Sequence, residues 1–583
     1  MNRMPLLIVF GLVGLAGPLH ADDVSLAQQA TEILKRSCYE CHGVRDYGAG
    51  LDVLNPNTLF EDRGANTRPY LSKGNAAGSA IWRQIDSGLM PPEDNEFNIP
   101  ALTASEKATI KQWIDAGAAF PEGNQVFERE FVTRQRLVEI IENDLRSLRS
   151  RQQEVLTTRY FTIANLHNNG TVPDEMLMYA RAALSKAMNA MSQAATIIPP
   201  RIVDADENSV VLAVNLEDYG WSLDDWYLVI KDYPYTLEPR KSAERAAYMA
   251  IAGYWGGIQQ EPCIRVDWFV AHATRAPLYD ILIKHPHTLQ ELAMQNGVDI
   301  EGDFAKQRLL RTGVFASGVS SQNRLMDRHA SKYGAFWLSY DFAQTAKSNI
   351  AVFPLGPNRP NHPYQEAAFE EAGSEVVYSR PNGLHGYLIV DNKGQRISRA
   401  PVSIVADHVT VDGVPEVVNG LSCMACHTEG IRSFQNRLPG AYFVDNPDGE
   451  EHLLNLLKTE EEVEARMTED RDQYLRALVK TVQPFFPGKS LDVDSVRQLT
   501  EPCSLIARNY FKDLNPITAA AELGENSPDK LEALGRTLRQ RGLSPFTQEG
   551  GIIKRQVWHG KLLYYSVFQE TAEELLIGKP VLP

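Results

Sequence analysis

The chain has no basic run, no low-complexity tract and, beyond residue 21, no apolar segment long enough to cross a membrane. It carries 74 acidic against 58 basic side chains, a formal net charge of -16 over 583 residues. A balance of that sign suits nucleic acid poorly as a partner. A solvated acidic surface is its ordinary meaning, and a basic redox partner is compatible with it. Familiar catalytic signatures are missing as well. There is no Gly-rich phosphate loop, no G-x-S-x-G elbow and no H-E-x-x-H helix. Cysteine is scarce, at six residues, and most of these fall in one pattern that occurs twice.

That pattern is Cys38-Tyr39-Glu40-Cys41-His42 and again Cys423-Met424-Ala425-Cys426-His427. Both read C-x-x-C-H, the attachment signature of a c-type haem. Two thiols at that spacing add across the haem vinyl groups as thioethers. The histidine that follows supplies the proximal nitrogen to iron. The competing reading is a zinc half-site, which needs partner Cys or His pairs at short spacing. Neither copy has them nearby. The expected cofactors are therefore two covalently bound haem c groups, one on Cys38 and Cys41 and one on Cys423 and Cys426. His42 and His427 are the expected iron ligands.

The N-terminus agrees with covalent haem, which is attached after export. Leu6 to Gly17 form an unbroken apolar run behind Arg3, and Leu19-His20-Ala21 is a small-residue cleavage context. The run is too short to span a bilayer and reads as a secretory signal peptide over residues 1–21. An uncleaved anchor is the alternative. Cleavage would remove only Arg3 among the charges and take the net charge from -16 to -17. The expected compartment is the bacterial periplasm.

At 43% hydrophobic and 23% charged residues the chain is globular, with room for several cores. The first domain is expected over residues 22–122. Leu26, Ala30, Ile33 and Leu34 recur at helical spacing, so the first haem motif closes a short amphipathic helix. Residues 43–65 read as loop. Met90 precedes Pro91 and Pro92, 48 positions after His42. A thioether sulfur held by two prolines is a good second axial ligand, against the plainer reading of a gap-filling core methionine. His/Met ligation raises the reduction potential and closes the iron to substrates. Thr103 and Glu106 form a capping-box pattern, Ile110, Trp113 and Ile114 follow on one face, and Gly117 falls near the C-cap.

These segments, with Gly74-Asn75, Ile81-Trp82 and Trp113 to Ala118, resemble the planctomycete-type cytochrome c domain. That is a small class I helical cytochrome often fused to larger extracytoplasmic domains. The resemblance covers roughly residues 28–122. Carried over, it implies an all-α fold there, with His42 proximal and Met90 distal to iron.

Beyond Pro121 the pattern changes. Residues 123–400 read as a mixed α/β or α+β region. Helices are expected near Glu128–Leu156 and Met176–Met191, and short β-like runs such as Val210 to Val214. Residues 401–583 read as a second haem-binding region with a mainly helical C-terminus, clearest at Glu460–Lys480 and Lys530–Arg541. Arg265 to Phe269, Ser317 to Ser320, Asn323-Arg324, Arg328-His329, Trp337 to Asp341, Pro381 to Gly383 and Asn419 to Cys423 resemble segments of uncharacterised bacterial proteins with cytochrome c domains. That resemblance implies a large haem-containing module and brings no named activity.

The second motif has no Met-Pro-Pro after it, so its distal ligand is sought upstream. His329, beside Arg324 and Arg328, is the first choice, since those cations suit haem propionates. His385 and His408 are the others, and an open iron beside Arg and His would suit peroxide chemistry. Cys263 and Cys503 remain, either as a disulfide or as two buried thiols. Two functions fit. One is an electron-transfer dihaem cytochrome with an unidentified redox partner. The other is a haem-dependent oxidoreductase whose active site is the second haem, fed by the first. The motifs lie 385 positions apart, which argues against the familiar dihaem peroxidases.

Overall fold

The computed structural model describes residues 26–39, 41–42, 51, 53–54, 59–60, 68–92, 99–118, 127–205, 207–315, 323–400, 416–534, 537, 539, 541–547, 551–561 and 564–581. The signal-peptide segment 1–21, the Ser317–Ser320 stretch and His408 lie outside them. The chain divides into two compact units, residues 1–123 and 124–583.

In the first unit, α1 (Leu26–Ser37), α2 (Ala80–Asp86) and α3 (Ala104–Asp115) surround one apolar core. Ala30 and Leu34 of α1 meet Ile110, Trp113 and Ile114 of α3 there, which is the stripe the helical spacing required. Helix α3 begins with the capping box of Thr103 and Glu106, each side chain bonding the other's main chain. It ends in a Schellman turn. Gly117 takes a φ of +104°, and Gly117 and Ala118 donate to the carbonyls of Ile114 and Trp113.

The second unit begins with α4 (Arg134–Leu148), β1 (Thr158–Thr162), α5 (Asp174–Ala190), β2 (Arg201–Ile202), β3 (Val211–Asn215), β4 (Leu237–Pro239), β5 (Cys263–Arg265) and α6 (Val266–Ala273). Strands order as β2-β3-β1-β5, with β1 antiparallel to β3 and parallel to β5. All of β1 is buried, as a strand covered on both faces must be. Helix α5 is Ala-rich and buried nearly all round. It packs on α6 and on two later helices, α8 (Glu460–Val482) and α9 (Pro502–Phe511). Met188 and Met191 are fully buried and fill this core.

A five-stranded antiparallel meander follows: β6 (Leu310–Val314), β7 (Arg324–Ser331), β8 (Gly334–Phe342), β9 (Glu371–Ser379) and β10 (His385–Asp391). Neighbouring residues on each strand face opposite sides. The register runs His329–Phe336–Tyr378–Gly386 on one face and Arg328–Trp337–Val377–Tyr387 on the other. The first face is sealed by its own core, which holds Phe336, Tyr378 and Leu388.

The last strands are β11 (Arg399–Ala400), β12 (Val417–Val418) and β13 (Gly578–Pro580), and α7 (Leu421–Cys426) carries the second cysteine motif. Strand β13 pairs back on β4. One core runs from Val132 to Ala572, so residues on both sides of position 400 share it. The helix expected at Lys530–Arg541 is described as Asp529–Ala533; residues 535, 536, 538 and 540 lie outside the described set. Cys263 and Cys503 are both buried and neither is in a disulfide. The Cys503 thiol instead points at the Ala183 carbonyl, 3.6 Å away. Among the described residues no helix is long and apolar enough to cross a membrane.

Candidate functional site

Each C-x-x-C-H motif is one turn of chain following a short helix or closing one. At the first, Cys38 donates its N–H to Leu34 at the end of α1, and His42 donates its N–H to the Cys38 carbonyl at 2.8 Å. At the second, α7 runs Leu421–Cys426 and His427 donates its N–H to the Cys423 carbonyl, also at 2.8 Å. Cys38, Cys41, Cys423 and Cys426 are each partly exposed as whole residues. Burial, and then its neighbour Cys41, pushes the Cys38 thiol up to about 12. Among the described residues no group of three or more His, Cys, Asp or Glu is placed to hold a metal ion.

The second motif is anchored by the residues just before it. Gly420 has a φ of +90° and a Cβ there would fall 2.4 Å from the Thr274 carbonyl oxygen, so only glycine lets the chains approach. Asn419 donates to Asp280 at 3.2 Å, and the Ser422 hydroxyl accepts the Val418 N–H at 3.0 Å. These contacts fix the chain that leads into α7.

The His427 ring donates from Nδ1 to the Gly430 carbonyl oxygen at 2.9 Å. Burial keeps the imidazole neutral, below its ordinary value. A neutral ring with Nδ1–H engaged presents the Nε2 lone pair, the form a metal needs. Tyr387 of β10 lies alongside, ring centres 5.8 Å apart. His385, two residues earlier on the same face of β10, packs against Tyr474 at 4.6 Å and reaches Gly430. The turn that delivers His385 is Pro381-Asn382-Gly383, tied to the end of α5 by Arg380 to Ser192 and Asn382 to Asn189. His385 is driven down to about 3 by burial, then by His427 and Lys186. Its Nδ1 is buried without a partner.

The sequence-derived site residues fall into place unevenly. Cys38, Cys41 and His42 share one turn, and Met90 follows α2 half-buried in the same unit, its N–H on the Gln84 carbonyl. Cys423, Cys426 and His427 share the second turn. His329 does not join them. It faces the opposite side of the meander from Tyr387 and His427, fully buried, with Nδ1 3.0 Å from Asp303. Alternation along β7 is the reason: Arg324 and Arg328 face one way and His329 the other. Those arginines are already committed, Arg324 to Asp341 and Glu375, Arg328 to Asp470. Of the two upstream histidine candidates among the described residues, His329 and His385, it is His385 that is brought to His427. Gly430, Tyr387 and Tyr474 were missed. The one signal for Gly430 was a glycine three places after the motif histidine.

Paired thiols one turn apart, followed by a histidine, fit c-type haem attachment, and the N-terminal unit is cytochrome c-like. Residues 38–94 match the family model described as Planctomycete cytochrome C. No curated protein and no solved structure matches the chain. A domain of this family carries covalent haem c and serves haem-based electron transfer, and Cys38 and Cys41 fit its attachment site.

Proposed function

We propose that the protein is an exported dihaem c-type cytochrome. Electrons pass between a haem held by Cys38, Cys41, His42 and Met90 and a second haem held by Cys423, Cys426 and His427 in the larger unit. The reading of the second site rests on one observation. Its turn repeats the first, with the same His N–H to Cys carbonyl bond of 2.8 Å, and its imidazole is oriented by Gly430.

When bound, haem c supplies a one-electron iron couple. The chain's own residues set the terms. The Met90 sulfur, a soft ligand, favours the reduced state at the first site. Gly430 fixes the His427 tautomer and strengthens the ring as a donor. The buried rings of Tyr387 and Tyr474 would keep water from the His427 imidazole. Residues 1–21 as a signal peptide, together with covalent haem, support a periplasmic location.

The test is intact mass spectrometry of the protein recovered from a periplasmic fraction. The expected mass lacks residues 1–21 and includes two haems, and a Cys423→Ala/Cys426→Ala variant carries one. A single haem on the unaltered protein would overturn the proposal. Carbon monoxide added to the reduced protein separates it from the oxidoreductase reading. Binding at the second iron would mean an open coordination position there.

A further inference from the structure

A second polar site lies in the larger unit, away from the cysteine motifs in sequence. A cavity of about 90 Å³ opens between α4, β5 and residues 521–524. Arg134, Glu261, Arg265 and Glu522 line it, with Asn165 and Tyr233.

The charges around it are closed on one another. Arg134 bonds Glu244 at 2.8 Å and the Leu237 carbonyl at 2.8 Å. Arg265 bonds Asp267 at 3.0 Å and Glu522 at 2.8 Å. Glu522 also takes Arg555 at 3.0 Å and the Trp558 N–H at 2.8 Å. Three arginines thus meet Glu244, Asp267 and Glu522. The remaining carboxyl, Glu261, lies 3.3 Å from Arg134 and is shifted upward by burial. Little net charge is left to draw in an ion.

Arg265 Nη1 makes no hydrogen bond, but its charge is met by Glu522 2.7 Å away, and two neutral groups on the wall are incomplete. Asn165 is 9% exposed. Its NH2 donates to Asp267 at 2.9 Å, but its Oδ1 is buried with no donor. The Tyr233 oxygen accepts the Arg265 N–H at 3.0 Å, and its own proton meets no acceptor among the described residues. A buried polar atom left unpaired is costly, so such atoms mark places where something else binds. The volume has room for several waters, or for one small solute in their place.

We propose that this cavity binds a small neutral molecule with a donor beside an acceptor, of the primary amide class. The amide N–H answers Asn165 Oδ1, and the amide oxygen takes the Tyr233 proton. The site does not depend on either haem.

The experiment is calorimetric titration of the mature holoprotein with acetamide and, separately, with acetate, which has the same shape and a negative charge. Saturable acetamide binding is expected, with acetate at least tenfold weaker, about the discrimination one lost buried hydrogen bond gives. Tyr233→Phe should weaken acetamide by about the same factor. The proposal is overturned if acetamide gives no saturable heat, if acetate binds as well, or if Tyr233→Phe binds acetamide unchanged. The acetamide and acetate comparison on the unaltered protein decides the matter even if Tyr233→Phe fails to fold. A crystal soaked in acetamide that keeps only ordered water in the cavity would also overturn it.

Discussion

His427 Nδ1 lies 2.9 Å from the Gly430 carbonyl oxygen, and this bond decides which ring nitrogen remains for a metal. The acceptor is a glycine for a steric reason. Its φ is +95°, and a Cβ would sit 3.2 Å from both His385 Cε1 and Tyr474 Cβ. His427, its acceptor and the two flanking rings are therefore one packed unit.

Gly430→Ala should disturb that unit at two levels. An alanine forced to positive φ costs more than about 1 kcal/mol, and the contact with His385 adds to it. Urea unfolding of the mature protein should show the loss. The EPR spectrum of the haem proposed at Cys423 and Cys426 should shift as the His427 ring moves. Unchanged stability together with an unchanged spectrum would remove Gly430 from its assigned role.

Met90→Ala tests the first site. The long-wavelength sulfur–iron charge-transfer band of one haem should disappear, and that haem's reduction potential should fall, because a thioether favours the ferrous state. Persistence of the band in the variant would mean that another group is the ligand.

How much of this was legible follows from the range of each signal. The C-x-x-C-H turns, the α1 stripe and the α3 capping box are local, and they stand where the sequence puts them. The Pro381-Asn382-Gly383 turn was visible as a motif, but not its purpose, since Arg380 and Asn382 are tied to residues nearly two hundred positions away. His329 was misplaced because proximity to arginines in sequence says nothing about which face of a strand is used. His385 gained its place beside His427 through strand order alone. The ion network at Arg265 and Glu522 joins positions 257 apart, and no periodicity reports that.

The buried pair of Lys186 and Glu501 offers a test of what ties α5 to α9. Their Nζ and Oε1 are 2.8 Å apart, and each side chain is 2% exposed. Glu501 also caps α9 by accepting the N–H groups of Cys503 and Ser504. That web holds its carboxyl below the usual range despite burial, with Lys186 the strongest of the lowering influences. Lys186→Met strands a buried carboxylate and should cost about 3–5 kcal/mol in denaturant unfolding. Adding Glu501→Gln should restore part of the loss, since the amide oxygen still caps and no charge is left. A double variant less stable than Lys186→Met alone would show that the charge itself, not its stranding, matters.

Acid should destabilise the larger unit earlier than its carboxylates alone would. His272 and His559 lie with ring centres 5.9 Å apart. Tyr510 bonds His559 at 2.8 Å, and Arg275, Arg555, Arg265 and Glu522 surround the pair. Burial, then Arg275, lowers His272 to about 3. Burial, then Arg555, lowers His559 to about 4. In the unfolded chain each imidazole takes its proton near 6.5. Below that pH the unfolded state binds protons that the folded state refuses, so stability falls as pH drops. Each histidine contributes at most about 1.4 kcal/mol per pH unit. The loss begins near pH 6.5 and continues until the folded-state values are reached. The unfolding free energy measured between pH 7 and 5 should fall with a slope that is small at pH 7 and approaches its limit of about two protons from this pair only near pH 5. In His272→Asn/His559→Asn that slope should flatten by the same amount. An identical pH dependence in the double variant would mean that these rings are already charged in the folded protein, and that the cluster of arginines does not exclude their protons.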